Sequence, residues 1–196
     1  AVSGRSDVLV TPQAANSKLF NPSKACKAYR ERLAEGGQFL LCSCSRIVPR
    51  KNIEGLLDLA KFLLEKNLSF KIVIIGTVEE GCEEYLASLK AQTKKRGLEK
   101  NITFAGYLDD EEIAKTYASS DLYVSCSKYE GFGLSFAESM SSGTPIVTFN
   151  TKSISDYLEN DVHGFYSEKN SLSEMTEKIC SYLTNPEHLD QMSKNV

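Results

Sequence analysis

Phe39-Leu-Leu-Cys-Ser43, then Cys44-Ser-Arg46-Ile-Val-Pro-Arg-Lys51, then Asn52-Ile-Glu-Gly-Leu-Leu-Asp-Leu-Ala-Lys-Phe-Leu-Leu64 is the stretch that decides the fold. Its opening is a continuous apolar run of strand length, as expected for a parallel strand buried on both faces. Its close is a different pattern: Ile53, Leu56, Leu57, Ala60, Leu63 and Leu64 recur at i, i+3, i+4 and i+7, which predicts an amphipathic helix. Between them lies a short basic turn stiffened by Pro49. Strand, tight turn and helix make one βα unit.

The same alternation runs outward in both directions. Upstream, Asp7–Val10 reads as a short strand, and an Asn/Ser-rich turn through Phe20-Asn-Pro22 leads to a helix around Lys24–Leu33 that Gly36-Gly37 ends. Downstream, strands are expected at Lys71–Ile75, Ile102–Ala105, Leu122–Ser125 and Ile146–Phe149. Helices are expected around Cys82–Leu89 with Gly97 at the C-terminal end, at Asp110–Ser119, at Ser135–Ser142, near Ser153–Glu159 and near Ser171–Thr184, with a last one begun by Asn185-Pro186. Strands alternating with helices give an α/β fold, a doubly wound parallel sheet flanked by helices, in which ligands bind outside the carboxyl ends of the strands.

Composition narrows the classes. The chain has 196 residues, 41% hydrophobic and 25% charged, which fits one α/β domain or two small ones and argues against a disordered or fibrous chain. A net charge of −3 offers nothing for electrostatic binding to nucleic acid. No apolar run approaches the roughly 20 residues that span a bilayer. With Ala1 in first place and no basic or apolar leader, the chain reads as an internal piece of a longer protein. Of six cysteines, Cys42, Cys44 and Cys126 fall in strand-like runs and Cys82 and Cys180 on helix faces, with no C-x-x-C, so they read as reduced thiols in a reducing compartment.

Three groups of polar residues fall just after strands. Arg46 and Lys51 pair a guanidinium with an ammonium, a combination suited to a diphosphate, although the same pattern describes a solvated basic turn. Gly131-Phe132-Gly133-Leu134 precedes a helix whose first amides form an anion site; the same glycines suit a tight strand-to-helix turn. Glu130 and Glu138 bracket that turn. Glu138 has two open readings, a ligand contact or the far half of a capping box with Ser135, whereas Glu130 has nothing local to cap.

Glu130-Gly-Phe-Gly-Leu-Ser-Phe-Ala-Glu138 with Gly143-Thr-Pro145 resembles the E-x7-E signature of retaining glycosyltransferases of the GT-B fold, the glycosyl transferases group 1. Arg46…Lys51 resembles that family's phosphate-binding pair, and Ile74-Ile-Gly76, Thr103–Tyr107 and Asp121–Ser127 fall where its other landmarks do. The resemblance implies a Rossmann-like C-terminal half of a GT-B enzyme, with 1–22 leading out of an N-terminal acceptor domain and 23–196 binding a nucleotide-diphosphate sugar. It implies that Arg46 and Lys51 hold the diphosphate, with Gly131, Phe132, Gly133 and Leu134 supplying amides. It places Glu130 beside the donor sugar, Glu138 on the ribose, and Gly76 and Leu108 near the donor. No D-x-D is present, so no cofactor or metal is expected, and Asp109–Glu112 reads as a helix start. A fragment inactive by itself is expected, with a glycan, lipid or other acceptor, in the cytoplasm or at the inner face of a membrane. A GT-B sugar-nucleotide epimerase and a non-catalytic nucleotide-sugar-binding module are the alternatives. Asn52 and Thr77-Val78 stand where the family favours glycine.

Overall fold

A computed structural model describes residues 13–151 and 153–196; the expected strand at Asp7–Val10 lies outside them. Among the described residues six strands form one parallel sheet in the order β3-β2-β1-β4-β5-β6: β1 Phe39–Cys44, β2 Phe70–Ile75, β3 Ile102–Gly106, β4 Leu122–Ser125, β5 Ile146–Phe149 and β6 Gly164–Ser167. The helices are α1 Lys27–Ala34, α2 Ile53–Glu65, α3 Glu83–Lys95, α4 Asp110–Ser119, α5 Leu134–Ser141, α6 Leu172–Leu183 and α7 Pro186–Asn195. The expected helix near Ser153–Glu159 is a single 3-10 turn, Ile154–Asp156.

Alternation along the strands assigns each face its helices. Leu41, Ile72, Ile74, Val124 and Val147 pack with α2, α3, α6 and α7. Leu40, Cys42, Val73, Tyr123 and Ile146 point the other way, onto α1, α4 and α5. Strands covered on both sides must be apolar throughout, which explains the unbroken burial of β2. Lys71 is the exception, 1% exposed, with its ammonium tied to Glu35 and the Lys100 carbonyl. On α2 the buried stripe includes Leu59, absent from the sequence-based face, while Leu64 is 39% exposed. Fully burying a leucine contributes roughly 1.5–3 kcal/mol, so α2 is a principal source of cohesion on its face.

Helix starts follow local chemistry. Asp109 and Glu112 form a reciprocal capping box at α4, as the acidic run suggested. No such box forms at α5: its N-cap is Gly133, which has no side chain to offer, and Ser135 is already inside the first turn. The capping reading of Glu138 is therefore corrected. Asn52 adopts a left-handed backbone (φ 50°) and donates its side-chain amide to the Cys126 carbonyl at 3.0 Å, so it takes the conformation a glycine would and adds a tether. All six cysteines are free thiols; Cys126 is buried just past β4, and Cys82 sits at the N-cap of α3 rather than on its face.

Candidate active site

Strand order reverses between β1 and β4: β2 and β3 extend the sheet to one side, β5 and β6 to the other. Crevices in open α/β sheets form at such a switch point, outside the carboxyl ends of the two central strands. The turn after β1 carries Arg46, Arg50 and Lys51; the turn after β4 carries Glu130 and leads into α5. A cleft of about 550 Å³ opens there, lined by Cys44, Ser45, Arg46, Arg50, Lys51, Glu130, Leu134, Ser135 and Glu138. A hollow of similar volume beyond β6 is lined by Phe165 and Lys178, but that ammonium already covers the Phe165 ring at 5.4 Å.

Five of the residues singled out from sequence converge in this cleft: Arg46, Lys51, Glu130, Leu134 and Glu138. Lys51 and Glu130 are partners. The ammonium lies 2.5 Å and 2.6 Å from the two carboxylate oxygens, with the side chains 12% and 11% exposed. Arg46 is more open and reaches Glu79 at 3.0 Å. Both cations are thus held by carboxylates that an incoming anion has to displace or share. Arg50, which sequence reasoning passed over, adds a third cation, and its signal was its place in the same basic turn.

Glu138 lies on the second turn of α5, and its carboxylate accepts no hydrogen bond among the described residues. Burial, with the Asp110 carboxylate at the start of α4 adding to it, pushes its pKa up to about 7. A carboxyl group raised in the folded state holds its proton longer there than in the unfolded chain. Stability therefore falls as pH rises from about 4.5 to about 7. A Glu138→Gln variant is expected to lose that fall in denaturation curves taken across the window; an unchanged slope would place the titration elsewhere.

The other expected contacts divide. Gly131 and Phe132 line a neighbouring hollow of about 460 Å³ with Gln13, Ser153, Asp156 and Tyr157. The Tyr157 hydroxyl donates to the Phe132 carbonyl at 2.9 Å, and the two rings pack at 5.5 Å. Gly133 lies beneath the turn, where a Cβ would meet the Phe136 ring at 2.7 Å and the Tyr157 oxygen at 2.9 Å. With no side-chain cap at Gly133, and with the Phe136 amide already bonded to the Gly133 carbonyl at 2.9 Å, the Leu134 and Ser135 amides are left to an external acceptor, the arrangement that binds anions. Gly76 and Leu108 do not line the cleft. The Gly76 amide is spent on the Gly106 carbonyl, and Leu108 packs on Leu40, Val73 and Ile75. Among the described residues no cluster of three or more His, Cys, Asp or Glu side chains could hold a metal ion, and no helix is long and apolar enough to cross a membrane.

A fold wound about a cationic and carboxylate-bearing switch point has a clear family. The model of the glycosyl transferases group 1 matches residues 27–196, and the chain belongs to that family of glycosyltransferases. The poly(ribitol-phosphate) alpha-N-acetylglucosaminyltransferase of Staphylococcus aureus is 32% identical over 142 residues, 72% of this chain and 27% of that protein. The Anabaena HepE structure in complex with UDP and glucose superposes with a TM-score of 0.82 at 24% identity, covering 93% of this chain and 49% of that one. The C-terminal domain of the group 1 protein LpcC from Francisella tularensis gives 0.77 at 20% identity, covering 93% of this chain and 94% of that domain. These two likenesses establish the Rossmann-like fold of GT-B C-terminal domains. The chain spans less than half the length of the curated relatives it matches.

Proposed function

We propose that this chain is the donor half of a glycosyltransferase, binding a nucleotide-diphosphate sugar and supporting metal-independent transfer with retention of anomeric configuration. The observation that carries the reading is the convergence of Arg46, Arg50, Lys51, Glu130, Glu138 and the uncapped start of α5 on one switch-point cleft. Cleavage of a sugar–diphosphate bond builds negative charge on the leaving group while the sugar becomes oxocarbenium-like. Fixed cations and amides aimed at the diphosphate stabilise that charge and take the place of a metal. Lys51 and Arg46 hold the phosphates, the first amides of α5 complete the cradle, and Glu130 turns to the sugar once the diphosphate has drawn Lys51 away. Glu138 accepts from the ribose hydroxyls. The acceptor, a glycan or lipid, is held by an N-terminal domain that precedes residues 23–196, so the chain alone binds donor and transfers nothing. The UDP held by the Anabaena neighbour makes uridine nucleotides the first ligands to try.

Calorimetric titration with UDP, GDP, ADP and their sugar conjugates, with and without a chelator, tests this. One nucleotide is expected to bind selectively and independently of the chelator, with Arg46→Ala and Glu138→Ala each weakening it about tenfold, the value of one charge-assisted hydrogen bond. Binding by none of them, or binding indifferent to both substitutions, would sink the assignment.

A further inference from the structure

The two central strands part company early. β1 and β4 pair only at Leu41 with Leu122 and Cys42 with Tyr123, although β1 stays paired to β2 as far as Cys44 and β4 to β5 as far as Ser125. That early separation opens the crevice, and it leaves the Cys44 amide and carbonyl without a strand to face. One phenol hydroxyl takes both. The Cys44 N–H donates to the Tyr123 oxygen at 3.2 Å, and the Tyr123 O–H donates back to the Cys44 carbonyl at 2.9 Å. The same oxygen lies 3.1 Å from Ser135 Oγ, in the first turn of α5. With its own proton given to Cys44, Tyr123 accepts here from the serine hydroxyl.

Cys44 and Ser135 stand on opposite walls of the cleft, Cys44 leading into the turn that carries Arg46 and Lys51, Ser135 one helical turn before Glu138. Tyr123 itself is 1% exposed and is not among the residues that line the cleft. Its ring is locked edge-on between Tyr117 at 5.8 Å and Phe136 at 5.5 Å. A group so fixed, bonded to both walls from below, sets the distance between them.

We propose that Tyr123 is a positioning residue of the donor site, its hydroxyl holding the cationic turn after β1 in register with the start of α5 so that one diphosphate meets both. This rests on the reading of the cleft as a nucleotide-sugar site. A ligand that bridges the walls feels any change in their spacing, whereas the ring packing that stabilises this face of the sheet does not need the hydroxyl. Buried hydrogen-bonded networks of this kind fix one arrangement when every member is satisfied and loosen when one is lost.

Tyr123→Phe keeps the ring and removes the hydroxyl. Titration of folded chain, well below its melting temperature, is expected to show nucleoside diphosphate affinity reduced about tenfold or more. The control is Tyr182→Phe, which strips another tyrosine of a hydroxyl bonded to Asp161 at 2.7 Å and to the Gly164 carbonyl at 3.1 Å, on a residue that does not line the cleft; its affinity is expected to match the parent's. Adding Ser135→Ala to Tyr123→Phe is expected to cost little more, because both substitutions break the same link. Parent-like binding by Tyr123→Phe, or equal losses in the two tyrosine variants, would overturn the proposal. Should Tyr123→Phe not fold, Ser135→Ala alone decides: a shift of the Cys44 amide resonance with weaker binding supports the link, and no change in either ends it. A parent chain that binds no nucleotide instead defeats the donor-site reading itself, and the positioning role with it.

Discussion

Glu130→Gln is expected to bind a nucleoside diphosphate about tenfold more tightly than the parent chain while losing its preference for the sugar conjugate. In the free site Glu130 holds the Lys51 ammonium through both carboxylate oxygens in a nearly closed environment. An anionic ligand therefore competes with a resident anion for the same cation, and also meets that anion's repulsion. Replacing the carboxylate by an amide leaves Lys51 an acceptor but removes the charge, and like charges brought together at an interface cost enough for a tenfold change in affinity or more. The sugar conjugate should respond in the opposite sense, because the carboxylate that its hydroxyls would meet is gone; a hydrogen bond to a charged group contributes about 1.5–3 kcal/mol. The ratio of the two affinities should consequently shift by more than either affinity alone. With an acceptor-binding half supplied, transfer is expected to fall by roughly two to three orders of magnitude, the effect of removing one preorganised electrostatic partner. Stability should drop by about 1–3 kcal/mol as Lys51 keeps only a neutral partner. Calorimetry with matched diphosphate and sugar-diphosphate ligands reads the central claim. If diphosphate binding weakened and the sugar preference stayed, the ion pair would be scaffold and not a stand-in for ligand.

That pairing was beyond reach of the sequence, for a physical reason. Lys51 and Glu130 follow different strands and lie 79 positions apart, so only the adjacency of β1 and β4 brings them together. What was legible were the parts each strand end contributes. Apolar runs and 3.6-residue periodicity located β1–β5 and the long helices, because each is buried on a predictable side. β6 escaped notice: Gly164-Phe-Tyr-Ser167 is a four-residue edge strand opened by glycine. Its Tyr166 amide and carbonyl are met by the Asn160 side chain, so it needs no second strand and carries no two-sided apolar run. The Ser135–Glu138 spacing misled in the opposite way, since the pattern of a capping box is present but Gly133 starts the helix two residues early. Gly76, which the family resemblance puts near the donor, has its amide bonded to the Gly106 carbonyl and does not line the cleft.

Gly76 and Gly131 make the last expectation, because they look alike in sequence and have opposite reasons for being glycine. Gly76 has φ +138°, and a Cβ there would lie 1.9 Å from the Ser45 carbonyl oxygen. It stands where β2 ends beside the turn that carries Arg46, with its amide bonded to Gly106 at 2.8 Å. Alanine would have to push the Ser45 backbone aside or break the join to β3, both rigid. Backbone strain and overpacking each cost about 1–3 kcal/mol, so Gly76→Ala should destabilise the chain by roughly 3 kcal/mol or more. Gly131 has no positive φ, and nothing lies within 4 Å of a Cβ built on it. Gly131→Ala should leave stability within about 0.5 kcal/mol of the parent, as open surface positions do. Its effect should instead appear in ligand binding, where a methyl group stands between the turn and a donor passing close to the backbone. Denaturant unfolding of both variants, followed by titration of whichever remains folded, separates the two causes. A stable Gly76→Ala would mean that the turn after β1 is soft enough to move. A Gly131→Ala chain with parent-like affinity would mean that the donor runs along the α5 amides and Lys51 without touching the glycine turn.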